Sequence, residues 1–223
     1  MAAVTTAVCA FMSAPLPGPS ATVDSFTPSE SVALHSFSRR QLDTAEPARW
    51  LDDCLRAMRT ERDAIKALVV AGTPLPAAYP IGWTLQMIDE HFELRMDEAD
   101  ALSTLNLLAA AEAALRIDFA NRAAKRIKDA TPVGQEFRAK LALWPRIKLD
   151  EDILKTWRDV YPQTAAKVAA FVDALHTRHW LAHGRWWVFK RGAILNFAAV
   201  AVAVSDLESV LSASPAGFHP DPV

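Results

Sequence analysis

The residues with the clearest chemical potential lie in one stretch, residues 176–184, which reads His-Thr-Arg-His-Trp-Leu-Ala-His-Gly. This stretch holds half of the six histidines in the chain, together with one arginine. Arg178 and His183 stand five positions apart, with His179 between them. A guanidinium can bind a phosphate, and an imidazole can move a proton near neutral pH. The stretch therefore supplies the two kinds of group that are needed to cleave RNA without a metal.

RNA supplies its own nucleophile, the 2′-OH. An imidazole with the ordinary pKa of about 6.5 can accept the proton of that hydroxyl or protonate the departing 5′-oxygen. An arginine can stabilise the extra negative charge of the pentacoordinate phosphorus through forked, charge-assisted hydrogen bonds. The products of this route end in 2′,3′-cyclic phosphate, and DNA resists it because DNA lacks the 2′-OH. On a helix that turns about 100° per residue, Arg178 lies roughly 140° from His183, while the three imidazoles share one stripe.

The segment Arg178–His183, with a polar residue directly after the arginine, resembles the R-x4-6-H motif of HEPN domains (higher eukaryotes and prokaryotes nucleotide-binding). The resemblance implies an all-α, antiparallel helical bundle and a homodimer in which two copies of the motif build one composite site. It also implies a metal-independent endoribonuclease without a cofactor, as in toxin–antitoxin, abortive-infection and CRISPR systems, and a regulatory antitoxin is a further partner of that class. In these terms Arg178 and His183 carry catalysis, and His179 assists or orients them.

HEPN domains often add a polar residue from an earlier helix, and the resemblance therefore implies supporting residues here. The candidates are Glu112 and Arg116, four positions apart on one predicted helical face, and Asp118. Glu112 could support the catalytic arginine, or it could be a surface carboxylate that pairs with Arg116 at i, i+4. The sequence leaves both interpretations open.

Basic residues surround the motif, and no acidic residue lies between positions 176 and 191. The candidate contacts to RNA phosphates are therefore Arg185, Lys190 and Arg191. Arg185 could equally be a solvent-exposed residue at the end of the helix. Three tryptophans, Trp180, Trp186 and Trp187, could stack on bases, but tryptophan at helical spacing is more often part of a core or an interface.

Two other interpretations of the motif stay open. His179 and His183 have the i, i+4 spacing of helical zinc ligands, but Trp180 stands where the usual metalloprotease motif has Glu. Further ligands are not evident, so no metal is predicted. The histidines could also be polar residues of a packed helix, in a non-catalytic HEPN-like module that binds nucleic acid, nucleotide or a partner protein.

The composition of the 223 residues favours helices, because Ala and Leu are abundant and only seven residues are Gly. The net charge of −2 implies no polyanionic partner, but it hides an uneven distribution. Residues 1–100 hold 14 acidic and 8 basic side chains, whereas residues 101–149 hold 4 and 9. The two cysteines, Cys9 and Cys54, cannot form a disulfide framework. The sequence has no uninterrupted run of 18 apolar residues, which a membrane-spanning helix would require. We therefore expect a cytoplasmic protein.

Turn and capping residues divide the chain into a disordered or poorly ordered leader (1–47), a helical domain (48–212) and a C-terminal tail (213–223) that is expected to be frayed from residue 215. Pro47 should begin the first helix and Asn196 should cap the last one. One continuous helix should contain the whole motif, and the only strand considered is 187–189. The helices are expected over residues 48–70, from about 83, and over 98–128, 150–160, 163–188 and 197–212.

Overall fold

The computed structural model describes residues 41–143, 146–185 and 194–222. All the regular structure in these ranges is helical and none of it is a strand, which confirms the predicted all-α class. A π-helical turn (Leu149–Leu154) precedes α4, and two short 3-10 turns (Lys140–Leu143 and Pro162–Thr164) join the longer elements. The described residues form six α-helices: α1 (Glu46–Val70), α2 (Leu85–Ala123), α3 (Pro132–Ala139), α4 (Lys155–Val160), α5 (Ala165–Ala182) and α6 (Phe197–Ser212).

Helices α1 and α2 form a helical hairpin on which the rest of the domain packs. Pro47 lies in the first turn of α1, as predicted, and Gly72 follows its end with a φ of 65° that glycine adopts without strain. The Thr84 hydroxyl caps α2 by accepting a hydrogen bond of 3.2 Å from the backbone N–H of Met87. Near the hairpin loop, Lys66 of α1 forms a 2.7 Å ion pair with Asp89 of α2.

Helix α2 lies at the centre of the domain, because it contacts α1, α3, α5 and α6. Its buried face includes Leu108, Leu115 and Phe119, which join one large hydrophobic cluster with residues from the later helices, among them Trp157 and Phe171. Burial of each such side chain contributes roughly 1.5–3 kcal/mol. The core therefore fixes α2 and α5 against each other, and these two helices carry the motif and its proposed support.

Several predicted helix boundaries are wrong. The helices expected from about residue 83 and over 98–128 are one helix, α2, which ends at Ala123 because Lys125 adopts a left-handed φ of 58°. The helix expected over 163–188 ends at Ala182, because Gly184 and Arg185 take φ angles of 77° and 57°. His183 therefore occupies the C-cap position of α5, directly after the last helical residue. The strand considered at 187–189 lies outside the described residues.

The two chain ends differ from the prediction in different ways. Residues 1–40 of the expected leader lie outside the described ranges, and α1 begins at Glu46, within the segment 1–47. The prediction of a frayed C-terminal tail is wrong for residues 215–222. Arg122 donates a 2.7 Å hydrogen bond to the carbonyl of Gly217, and the amide of Asn121 donates one of 2.8 Å to the carbonyl of Asp221. The tail is therefore packed on α2.

Within the described part of the chain, none of the helices combines the length and the apolar character that crossing a membrane requires.

Candidate functional site

The motif occupies the C-terminal end of α5, which a buried threonine anchors to the chain that leads into α6. Thr177 is completely buried, and its hydroxyl accepts a 3.3 Å hydrogen bond from the backbone N–H of Leu195. The final backbone turn closes through a 3.2 Å hydrogen bond from the N–H of His183 to the carbonyl of His179. These two hydrogen bonds hold the backbone of the motif, one at Thr177 and the other at His183.

Arg178 points at α2, where it meets Glu112. Its Nη2 lies 3.0 Å from Oε2 of Glu112, and the other carboxylate oxygen of Glu112 accepts a 3.0 Å hydrogen bond from Nε of Arg116. Arg116 also donates to the carbonyl of Ile147 at 3.3 Å. Glu112 thus contacts both arginines, since it pairs with Arg116 at i, i+4 and with the motif arginine Arg178. The three side chains form what we call the arginine clamp.

The arginine clamp carries a net charge of +1, because two guanidinium groups share one carboxylate. Glu112 is largely buried at 18% side-chain exposure, whereas Arg178 and Arg116 are exposed to 38% and 37%. Nε of Arg178 is buried and has no acceptor among the described residues. The clamp therefore holds two partly exposed cations in place and still presents a positive charge that can attract a phosphate.

His179 and His183 are both exposed, and their rings contact each other with centroids 4.3 Å apart and planes tilted by 60°. The predicted stripe of imidazoles is confirmed for this pair, while His176 is half-buried on the preceding turn. Because His179 directly follows Arg178, the histidine pair projects about 100° around the α5 axis from the arginine. The arginine and the imidazoles of one chain therefore diverge.

Only one of the candidate phosphate contacts can be placed. Arg185, which is 40% exposed on its side chain, pairs with Glu98 of α2 at 2.5 Å. This contact fastens the residues after α5 to α2 and partly neutralises the guanidinium. Lys190 and Arg191 lie outside the described residues.

Asp118, one of the three supporting candidates, is not at the arginine clamp. It is completely buried and accepts hydrogen bonds of 2.9 and 3.0 Å from Nε of Arg122, together with one of 2.9 Å from the backbone N–H of His219. We therefore correct its assignment from site support to core. The i, i+4 spacing of Asp118 and Arg122 was visible in the sequence, but it is the same spacing that solvent-exposed pairs use.

A cavity of about 600 Å³ opens beside the motif, between α1, α2 and the end of α5, and it was not foreseen from the sequence. Trp180, Leu181 and Arg185 of the motif region form one wall. Among the described residues, no group of three or more His, Cys, Asp or Glu side chains is arranged to hold a metal ion.

Comparison with known proteins adds no assignment, because no family model, curated protein or solved structure matches this chain.

Proposed function

We propose that this chain is a metal-independent endoribonuclease of the HEPN type, with an antiparallel helical bundle that acts as a homodimer in the cytoplasm. Arg178 binds the scissile phosphate, His183 is the general acid–base, and His179 supports it. The proposal includes a cellular setting in phage defence or a toxin–antitoxin pair, in which a separate protein restrains the activity.

The observation that carries the proposal is the arginine clamp beside an exposed pair of histidines. Arg178 is oriented by Glu112 at 3.0 Å and remains partly exposed, so an RNA phosphate can bind its outer edge without displacing the carboxylate. Because the clamp has a net positive charge, a second negative charge is attracted to it. A guanidinium that is already oriented loses less conformational entropy on binding than a free one.

The chemistry requires two proton transfers, and the exposed imidazoles can make both. One imidazole accepts the proton of the 2′-OH while its oxygen forms a bond to phosphorus. The bond from phosphorus to the 5′-oxygen breaks, and an imidazolium donates a proton to that oxygen. The products are a 2′,3′-cyclic phosphate and a 5′-hydroxyl, and the reaction balances without a redox partner.

A second copy of the chain supports this chemistry better than one copy alone. Arg178 turns towards α2, whereas the His179–His183 pair projects about 100° around the helix axis. Two copies that pair through the end of α5 would bring the imidazole of one chain towards the guanidinium of the other. They would also supply one His183 for each of the two proton transfers.

The experiment that tests the proposal incubates purified protein with a single-stranded RNA in EDTA. Wild type should cleave the RNA, while Arg178→Ala and His183→Ala should cleave it at least about 100-fold more slowly. His176→Ala is the matched control, because it removes a histidine from the same helix but outside the ring pair. Fragments should carry 2′,3′-cyclic phosphate, and a 2′-deoxy nucleotide at the cleaved position should block cleavage there. Equal cleavage by wild type and both motif variants would refute the proposal.

One observation favours the second candidate, a non-catalytic helical module that binds nucleic acid, nucleotide or a partner protein. Within one chain Arg178 is engaged by Glu112, so the motif arginine already has a structural role. The module would bind RNA with no cleavage, and His183→Ala would bind as tightly as wild type. The same preparations distinguish the two candidates when binding and cleavage are measured side by side.

A further inference from the structure

The 600 Å³ cavity beside the motif has the size and walls of a small-molecule site, since such sites enclose roughly 300–1,000 Å³. Its apolar walls come from three helices, with Leu55 of α1, Met96 of α2, and Leu181 and Trp180 of α5, and all four side chains are half-buried. A flat, apolar ring system could pack between such walls, with Trp180 as a stacking surface.

The polar lining of the cavity includes two carboxylates, which accept hydrogen bonds. Asp97 and Asp100 both line it; Asp100 accepts a 3.0 Å hydrogen bond from the backbone N–H of Phe197 through one oxygen, which leaves the other oxygen available. Asp97 is exposed and makes no hydrogen bond or ion pair with the described residues. A carboxylate only accepts hydrogen bonds, so a matching ligand must present N–H groups on the edge that meets Asp97.

Two further features point to a ligand with both a polar ring and a phosphate. Thr104 lies in the cavity wall and is 1% exposed, yet its hydroxyl has no hydrogen-bond partner among the described residues. A buried hydroxyl of this kind favours a polar ligand over an aliphatic one. Arg59 of α1 also lines the cavity and is exposed, without an ion pair to any described residue, so its guanidinium can bind a phosphate.

We propose that this cavity binds a guanine base of the RNA next to the cleaved phosphate. Guanine is the RNA base whose pairing edge presents two adjacent N–H groups, N1–H and the 2-amino group, and these can donate together to one carboxylate. Asp97 accepts both, Trp180 packs on the ring, and Arg59 binds a neighbouring phosphate. Uracil presents carbonyl oxygens on either side of its single N–H, which a carboxylate repels.

The inference rests on the proposed function, which gives a base site next to the motif a role in cleavage. Leu181 and Arg185, which line the cavity, flank His183 in the chain. A base held there would place its own backbone at the end of α5, where the exposed imidazoles lie. The cavity would then set which nucleotide stands beside the cleaved bond.

The experiment measures binding of GMP, AMP, CMP and UMP to the full chain by titration calorimetry, which needs no cleavage. GMP should bind at least about tenfold more tightly than UMP, as expected when a charged acceptor gains or loses its donors. Asp97→Asn should remove most of that preference, because the amide directs an N–H group at the base. Asp53→Asn, an exposed aspartate on α1 that does not line the cavity, is the matched control and should bind like wild type.

Outcomes for the base site and for catalysis can be told apart. Equal binding of GMP and UMP, no binding of GMP at millimolar concentration, or an Asp97→Asn variant with unchanged preference would overturn the guanine site. His183→Ala should slow cleavage by about 10²–10⁴-fold and leave GMP affinity unchanged. A wild type that binds GMP through Asp97 but cleaves no RNA would overturn the catalytic proposal and leave the base site standing.

Discussion

Replacement of Arg122 by alanine should destabilise this domain more than any surface substitution. The guanidinium is completely buried and donates to both carboxylate oxygens of Asp118 at 2.9 and 3.0 Å. It also pairs with Asp129, donates to the carbonyl of Gly217 at 2.7 Å, and lies 5.3 Å from the ring centroid of Trp157. One side chain thus joins α2, the start of the α3 region, the core tryptophan and the C-terminal tail.

The size of the effect follows from the charges that would be left behind. Arg122→Ala leaves two carboxylates without their cation, with side-chain exposures of 0% and 5%. Removal of one partner from a buried ion pair costs about 3–5 kcal/mol. For a domain of this size, each kcal/mol lowers the melting temperature by roughly 2–4 °C. We therefore expect Arg122→Ala to melt about 6–20 °C below wild type.

The assay is thermal and urea unfolding followed by circular dichroism, together with limited proteolysis. Arg158→Ala is the matched control, because Arg158 pairs with Asp159 at 3.3 Å but is 48% exposed, and exposed pairs contribute about 1 kcal/mol or less. Proteases should cut Arg122→Ala within residues 213–222 first, since the tail loses its donor. A variant that fails to fold agrees with the reasoning; a loss below about 1 kcal/mol would refute it.

Three further predictions concern stability, and urea unfolding checks each. Gly134→Ala should lower the free energy of unfolding by about 1–3 kcal/mol, because an added Cβ would overlap the Asp129 carboxylate; an unchanged or higher value would contradict the packing. Although burial raises the pKa of Asp129, hydrogen bonds from Thr131 and Arg122 bring it below its ordinary 3.8. The Asp129 carboxylate therefore contributes fully to the free energy of unfolding above pH 3.8, and this contribution is lost as the pH falls further. The stability difference between wild type and Asp129→Asn should shrink in acid, and a constant difference would contradict this sign. Asn196→Ala should cost about 1 kcal/mol, because the Asn196 side chain caps α6; no cost would mean that the cap is not formed in solution.

Local signals in the sequence were enough for the all-helical class and for two of the helix ends. Pro47 and Asn196 favour the start of a helix through interactions with residues next to them in the sequence. The starts of α1 and α6 were therefore predictable. The end of α5 had a signal as well, because Gly184 follows His183, and glycine is common just after a helix. The helix was nevertheless predicted to run to residue 188, beyond its end at Ala182.

What the sequence could not settle depends on the environment of each side chain. Glu112 has Arg116 four residues away, but its contact with Arg178 joins positions 66 apart and exists only because α5 packs on α2. Asp118 and Arg122 have the same spacing as a solvent-exposed pair, and they are buried because distant residues, among them Trp157 and His219 of the C-terminal tail, pack on them. The cavity beside Trp180 combines residues from three helices, so periodicity within one helix could not reveal it.

The most direct test of the central claim is the rate of RNA cleavage in EDTA by His183→Ala, relative to wild type, under single-turnover conditions. General acid–base catalysis contributes about 10²–10⁴-fold, so the account predicts that cleavage by the variant is slower by a factor in that range. His176→Ala should cleave at the wild-type rate. A His183→Ala variant that cleaves at the wild-type rate, or a wild type that cleaves no RNA, would contradict the account.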